Sequence, residues 1–503
     1  MEEKFIAEIT SRYTFSGEKI VLGKGMLNKK VVEKTEISIP LKTMNRHGLI
    51  AGATGTGKTK TLQILCEQLS LKGVPTLVMD IKGDLSGLAA EGNAENQKII
   101  DRHSVLKIPY NAQSFPVELM TISDEKGVRL RATVSEFGPI LFSKILGLND
   151  TQQSIISIIF KYCDDKALPL VDLKDLKKVL QYVSDGDGKE ELSANYGAIA
   201  PSSLGAILRN IVALEQQGAE AFFGEKSFDV QDLIQTRDGN GVINIVRLVD
   251  LQDKPNLFST FMLSLLAEIY NTYPEVGDVE KPKLCIFIDE AHLIFSEATK
   301  ALLNQIETVI KLIRSKGVGV FFVTQIPGDI PDEVLSQLGL KIQHALRGFT
   351  AKDKKEISQA VENYPVTEYY EAENLIQELG IGETFLTALD EKGIPTPLVH
   401  LYMIAPKSRM DILSTNEIED VVNNSALAET YNELIDKESA YEILSKRMES
   451  VFGSTETTAT SEKDEPSIFT KMLQSSAGKQ LQRSLVREGT NILFGMLGLR
   501  RRR

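Results

Sequence analysis

The stretch Gly52-Ala-Thr-Gly-Thr-Gly-Lys-Thr59 constrains this chain more than any other. It fits the pattern G-x-x-x-x-G-K-[ST]. An apolar run, Gly48 to Ala51, precedes it, and an amphipathic segment follows in which Leu62, Leu65, Cys66 and Leu69 share one helical face. Strand, turn and helix are the setting in which the pattern has chemical meaning. Gly52, Gly55 and Gly57 admit backbone angles and close approach that a Cβ would block. The N–H groups from Gly52 through Ala53, Thr54, Gly55, Thr56 and Gly57 can then face one concavity suited to phosphate oxygens. Lys58 brings a mobile ammonium to the β- and γ-phosphates, and the Thr59 hydroxyl is placed to ligate Mg2+.

A second stretch, Leu284-Cys-Ile-Phe-Ile-Asp-Glu290, complements the first. A continuous apolar run suits a central parallel strand buried on both faces. Its carboxyl end delivers Asp289 toward Mg2+, usually through water, and Glu290 toward the attacking water as a general base. Two other strand ends are polar. Thr76 to Asp80 reads as a buried strand leading into Ile81-Lys-Gly-Asp84, whose acids suit either a ligand at the carboxyl edge or a solvated turn. Val318 to Thr324 reads as another strand, ending in Gln325. That amide could sense the γ-phosphate, position water, or simply bond backbone. Phosphate loop, acidic second strand, Asp-Glu strand and polar-tipped strand, in that order, define a RecA-like or additional-strand P-loop layout. Glu290 beside Asp289 favours nucleotide hydrolysis over kinase chemistry. With no N-K-x-D guanine-reading motif downstream, ATP is favoured over GTP.

Length and charge set the limits. The 503 residues suffice for two or three domains. A formal net charge of −12 excludes a small, uniformly basic DNA binder. It leaves room for an acidic protein whose basic groups line one surface or a pore. No apolar run approaches the roughly 18 residues of a membrane span, and the acidic N-terminus lacks a signal-peptide core, so a cytoplasmic location is expected. Cys66, Cys163 and Cys285 lie far apart without metal-ligand spacing. Cys66 and Cys285 read as buried small hydrophobes in a reducing compartment. The five histidines are scattered too, which argues against structural zinc.

The expected fold class is α/β: a RecA-like P-loop core with a mainly parallel sheet, a helical insertion and a helical C-terminal extension. Residues 1–45 read as a short β lead-in of two or three strands. The ATPase core occupies 46–139 and resumes over 226–405, where Val242 to Val246 reads as a strand and Asn256 to Tyr270 as an apolar helix. Between them, 140–225 is helical in pattern throughout, without a phosphate or metal motif. Lys341 to Arg347 reads as a strand, Thr350 and Asp353 as a capping box, and Glu383–Leu389 with Thr396–Met403 as a closing hairpin. C-terminal helices follow over 406–450. A polar stretch, 451–466, reads as a disordered linker, and 467–503 as a basic amphipathic tail.

The segments Arg46 to Thr59, Val78 to Ala89 and Cys285 to Phe295 resemble the HerA–FtsK superfamily. Arg129 to Gln152 resembles more narrowly a bacterial group described as helicase HerA-like ATPases, and the basic tail fits that group. The resemblance implies ATP and Mg2+ as cofactors and a homo-hexameric ring that moves along double-stranded DNA, often with a nuclease partner. It further implies that the nucleotide sits between subunits and that a neighbour's arginine completes the site, where a cation stabilises charge on the phosphoryl oxygens. Arg314, 24 residues beyond Glu290, and Arg46, 12 before Lys58, match the family's arginines by position. Either could instead be a surface ion-pair residue. Archaeal HerA begins with a full β-barrel, where here fewer than fifty residues precede the core. Three functions fit: a DNA translocase or helicase, a regulatory or remodelling ATPase acting on a protein such as a nuclease, and a membrane-associated pump. The last is weakened by the lack of a spanning segment.

Overall fold

The computed structural model describes residues 1–453 apart from 252, 253, 278, 297–299, 434 and 436. Of the expected linker, 451–453 close a helix, Ala440–Gly453, while 454–466 and the whole of the expected basic tail lie outside the described residues.

The chain opens with a helix, α1 (Glu2–Tyr13), where strands were expected to lead in from residue 1. The reason is local: Phe5, Ile9 and Tyr13 recur every fourth residue and are all buried, which is helical periodicity. The Tyr13 hydroxyl then donates to the Pro397 carbonyl at 2.6 Å and fixes the helix to the sheet edge. Strands β1 (Lys19–Leu27), β2 (Lys30–Pro40) and β3 (Gly48–Ala51) follow, then α2 (Lys58–Leu71), β4 (Thr76–Asp80), α3 (Gln97–Leu106), β5 (Val117–Thr121) and β6 (Val128–Arg129). Five helices come next: α4 (Val134–Ile145), α5 (Asp150–Asp165), α6 (Leu173–Tyr182), α7 (Gly186–Tyr196) and α8 (Pro201–Gln216). The α/β rhythm resumes with a small hairpin, β7 (Thr236–Arg237) and β8 (Asn240–Gly241), then β9 (Ile243–Arg247), α9 (Pro255–Thr272), β10 (Leu284–Ile288), α10 (His292–Ser296), α11 (Lys300–Ile313) and β11 (Val318–Thr324). The sheet is completed by β12 (Leu340–Gln343), β13 (Glu383–Thr387) and β14 (Val399–Met403).

Among the described residues one 12-stranded sheet organises the molecule, in the order β2-β1-β14-β13-β12-β3-β11-β10-β4-β9-β5-β6. From β12 to β6 every neighbouring pair is parallel. The pairs from β12 back to β2 are antiparallel, including the expected β13–β14 hairpin. All strands of the parallel part therefore end at one edge of the sheet, where such folds gather their ligands.

Side-chain alternation divides the interior in two. Ile286 and Ile288 with Val320 and Phe322 face one core, and Cys285 and Phe287 with Phe321 and Val323 face the other. Phe287 and Phe321 stack with centroids 4.7 Å apart. Cys66, Cys163 and Cys285 are buried thiols without a disulfide. The first core is continuous through α4, α5, α6 and α8 to α9, so the helical segment is welded to one face of the sheet. Among the described residues no single helix is long and apolar enough to cross a membrane.

Candidate functional site

The turn after β3 takes the conformations its glycines permit. Gly52, Gly55 and Gly57 have φ of 153°, 78° and 112°. A Cβ on Gly52 would also lie 2.4 Å from the Cβ of His344. The turn is anchored on both sides. Gly52 N donates to the Gln325 carbonyl at 3.1 Å, and Ala53 N to the Ala345 carbonyl at 2.8 Å. Thr56 is buried, its hydroxyl donating to the Ala53 carbonyl at 2.7 Å, whereas Thr54 and Gly55 are exposed at the tip. Lys58 curls over the turn and donates to the carbonyls of Gly52 at 2.6 Å and Ala53 at 3.2 Å. Thr59 follows, half-buried in the first turn of α2.

His344, which the sequence reading passed over, clamps this loop from beneath. Its Nδ1 lies 3.0 Å from the Thr56 carbonyl and its Nε2 2.9 Å from the Thr61 hydroxyl. A carbonyl can only accept, so Nδ1 carries the hydrogen and Nε2 accepts from Thr61. Burial, with the Lys58 charge adding to it, pulls the imidazole down to about 3 and keeps it neutral. The only signal in sequence was its place directly after an apolar strand.

Strand β10 lies two places from β3, with β11 between them. At the usual strand spacing that is about 10 Å. Asp289 and Glu290 thus emerge on the same edge as the phosphate loop. Asp289 is 3% exposed and Glu290 7%. Asp289 Oδ2 and Glu290 Oε2 are buried and make no hydrogen bond, although His292 Nδ1 stands 3.2 Å from Glu290 Oε2. Such groups are costly unless something arrives to satisfy them. Glu290 has a left-handed backbone, φ 46°, which turns its carboxylate back over the strand end. Burial pushes the Asp289 carboxyl up to about 6, against the pull of the Lys82 charge. Burial and Lys82 lower the Lys58 amine, while Glu290 and Asp289 raise it. Lys58 and the two acids therefore share one electrostatic environment. Lys82, at the end of β4, pairs with Glu290 and stands 3.9 Å from Asp289 Oδ2.

Gln325 is exposed at the tip of β11, beside the phosphate loop. The two arginines are elsewhere. Arg314 precedes β11 and Arg46 precedes β3, so both occupy the amino edge, opposite Lys58 and Glu290. Arg314 lies near His47, whose imidazole is held down at about 4, chiefly by burial. The Arg46 guanidinium runs beneath the β13–β14 hairpin, within 2.6 Å of where a Gly393 Cβ would sit. Asp80, the acid of the second strand, turns inward: it accepts from Gly83 N at 2.8 Å, Asp84 N at 3.3 Å and Leu85 N at 3.1 Å.

Comparison with known proteins agrees with this geometry. The probable helicase MJECL08 of Methanocaldococcus jannaschii is 24% identical over 73% of this chain and 68% of its own length. The DNA double-strand break repair helicase HerA of Sulfolobus acidocaldarius is 21% identical over 68% of this chain and 63% of its own length. Among solved structures, the bacterial conjugative coupling protein TrwB superposes with a TM-score of 0.53 at 14% identity, covering 81% of this chain and 95% of TrwB. The family model for the helicase HerA-like C-terminal region matches residues 26–496. With a match of that extent, and a sheet that sets its phosphate loop two strands from an Asp-Glu pair, the chain belongs to the HerA-like family within the HerA–FtsK superfamily of P-loop ATPases.

Proposed function

We propose that this protein hydrolyses ATP and couples the reaction to movement along double-stranded DNA, acting as a homo-hexameric ring. The observation that carries the reading is the pair of unsatisfied buried oxygens, Asp289 Oδ2 and Glu290 Oε2, set across one strand from an amide-lined loop that already holds its lysine. Two buried acids with oxygens free of hydrogen bonds, beside cations and amides, suit a metal-bound triphosphate.

In this reading the N–H groups of 52–57 cradle the phosphates. Lys58 exchanges its two loop carbonyls for phosphate oxygens, and Thr59 and Asp289 hold Mg2+. Among the described residues no three His, Cys, Asp or Glu side chains gather into a metal cage. That fits a cation bound by one or two side chains plus phosphate oxygens and water. When bound, Mg2+ neutralises charge on the β- and γ-oxygens. Glu290 accepts a proton from the attacking water, and Gln325 orients that water or senses the γ-phosphate. Because Arg314 and Arg46 lie on the far edge of their own sheet, either could reach the phosphates only from a neighbouring copy. A crystal structure of TrwB bound to ADP and Mg2+, with a TM-score of 0.50 to this chain, supports a fold that accepts these ligands. The relative named as a DNA double-strand break repair helicase supports duplex DNA as the track.

The test is ATP turnover by the purified chain with and without duplex DNA, alongside the mass of the assembly. Turnover stimulated several-fold by DNA, weakening as salt rises, is expected of a particle six subunits in mass. An intact ring indifferent to every form of DNA, yet stimulated by a bound protein such as a nuclease, would replace the translocase reading with that of a regulatory ATPase.

A further inference from the structure

Lys82 has no role in the chemistry above, yet it makes the closest ionic contact to the acid pair. Its ammonium crosses from the end of β4 to the end of β10, pairs with Glu290 Oε1 and stands 3.9 Å from Asp289 Oδ2. The backbone beneath it is fixed, since the Asp80 carboxylate accepts from Gly83 N, Asp84 N and Leu85 N. Its side chain keeps 36% of its exposure, and its four-carbon stem is free to swing into solvent. Two residues on, Asp84 Oδ1 is buried without a hydrogen-bond partner. The ammonium thus sits in the field of two acidic groups, the Asp289–Glu290 pair that it contacts and Asp84, whose charge Lys60 also feels.

We propose that Lys82 is a positioning residue for the metal: a built-in counter-cation that holds Asp289 and Glu290 and moves to Asp84 when a divalent ion arrives. This rests on the nucleotide-site reading given above. The physical reason is that two adjacent buried carboxylates repel one another and need a positive charge at all times. A fixed arginine fork would compete with the metal permanently. A flexible, half-solvated lysine can leave, and the vacated charge is then supplied by the ion. Metal entry would thereby reposition a side chain on the loop after β4, linking occupancy of the site to the neighbouring turn, where Val249 packs against Gly83.

The experiment titrates Mn2+ alone into the nucleotide-free full chain and reads free ion by electron paramagnetic resonance, with Asp289→Asn defining binding elsewhere. Lys82→Ala should bind Mn2+ at the Asp289-dependent site about tenfold more tightly than the natural chain, because a competing charge is gone. Lys82→Arg, which keeps the charge, should bind no more tightly than the natural chain. Asp84→Asn should bind more weakly, because the displaced ammonium loses its second station. Equal or weaker Mn2+ binding by Lys82→Ala overturns the proposal, and Lys82→Gln answers the same question if the alanine variant fails to fold. Binding of a fluorescent ADP analogue to the natural chain is measured in parallel. Its absence would sink the nucleotide reading, whereas its presence with unchanged Mn2+ affinities would sink only the role of Lys82.

Discussion

Strands β4 and β10 lie side by side in parallel register, Met79 opposite Ile288, and each is followed or closed by an aspartate at the same edge of the sheet. Asp80 and Asp289 are 1% and 3% exposed, and burial pushes their carboxyls up to about 7 and about 6. By address, burial and titration they are near twins. They differ in what their oxygens touch. Asp80 accepts from three backbone N–H groups of its own turn, while Asp289 leaves Oδ2 without a hydrogen bond, only the Lys82 ammonium standing 3.9 Å away. An acid already saturated by its loop builds that loop. An acid left open is available for chemistry. Position in an α/β sheet narrows the search, and saturation decides it.

The contrast can be attacked at its strongest point first. Glu290→Gln keeps the shape of the open pair and removes its basicity. ATP turnover should fall by about 10²- to 10⁴-fold with binding of an ADP analogue retained. Lys58→Ala should lower both, and near-normal turnover by Glu290→Gln would show that the base lies elsewhere. On the saturated side, Asp80→Asn puts an amide donor against backbone donors. A loss of about 1–3 kcal/mol in urea unfolding is expected, with Mn2+ affinity at Asp289 within about twofold of normal. A large loss of metal affinity there would erase the distinction between the two aspartates. The smallest effect concerns the imidazole that holds the loop opposite them. His344 is held down to about 3 in the folded chain against 6.5 when free. The unfolded chain therefore takes up the proton first, and stability due to this group is present above pH 6.5 and lost as pH falls toward 3. Thermal melts of the natural chain and His344→Asn should thus converge as pH drops from about 7.5 to about 5. Parallel curves would mean that the imidazole is not held neutral.

The central strands were legible because strands buried on both faces must be written as short apolar runs. Thr76–Asp80 and Val318–Thr324 match their expected bounds. The capping box at Thr350 and Asp353 was legible for a similar reason, since its hydrogen bonds span only three residues. Helix α1 was misread because Ile6, next to Phe5, blurs the four-residue spacing of Phe5, Ile9 and Tyr13. Strand β5, with the buried Glu118 in Val117–Thr121, drew no notice, since Glu118 is matched by Arg237 and Ser425, far away in sequence. The phosphate loop and Asp-Glu pair could be named from spacing alone. Lys82 and His344 could not, because each matters through contacts with segments some two hundred residues or more away in the chain. Asp80 fits neither expected reading, a ligand group or a solvated turn: it is buried and its carboxylate accepts from three N–H groups of its own loop, which no local pattern announces.

Glu290 sits at φ 46°, a region where a side chain costs about 1–2 kcal/mol and glycine almost nothing. The main chain and the reaction therefore want different residues at one position. A glycine there would relieve the bend and, with Glu290 as the proposed base, remove turnover, so a screen that rewards heat tolerance alone should enrich variants without ATPase activity at this site. In the proposed mechanism, the backbone cost at Glu290 is borne for its carboxylate and not for the fold.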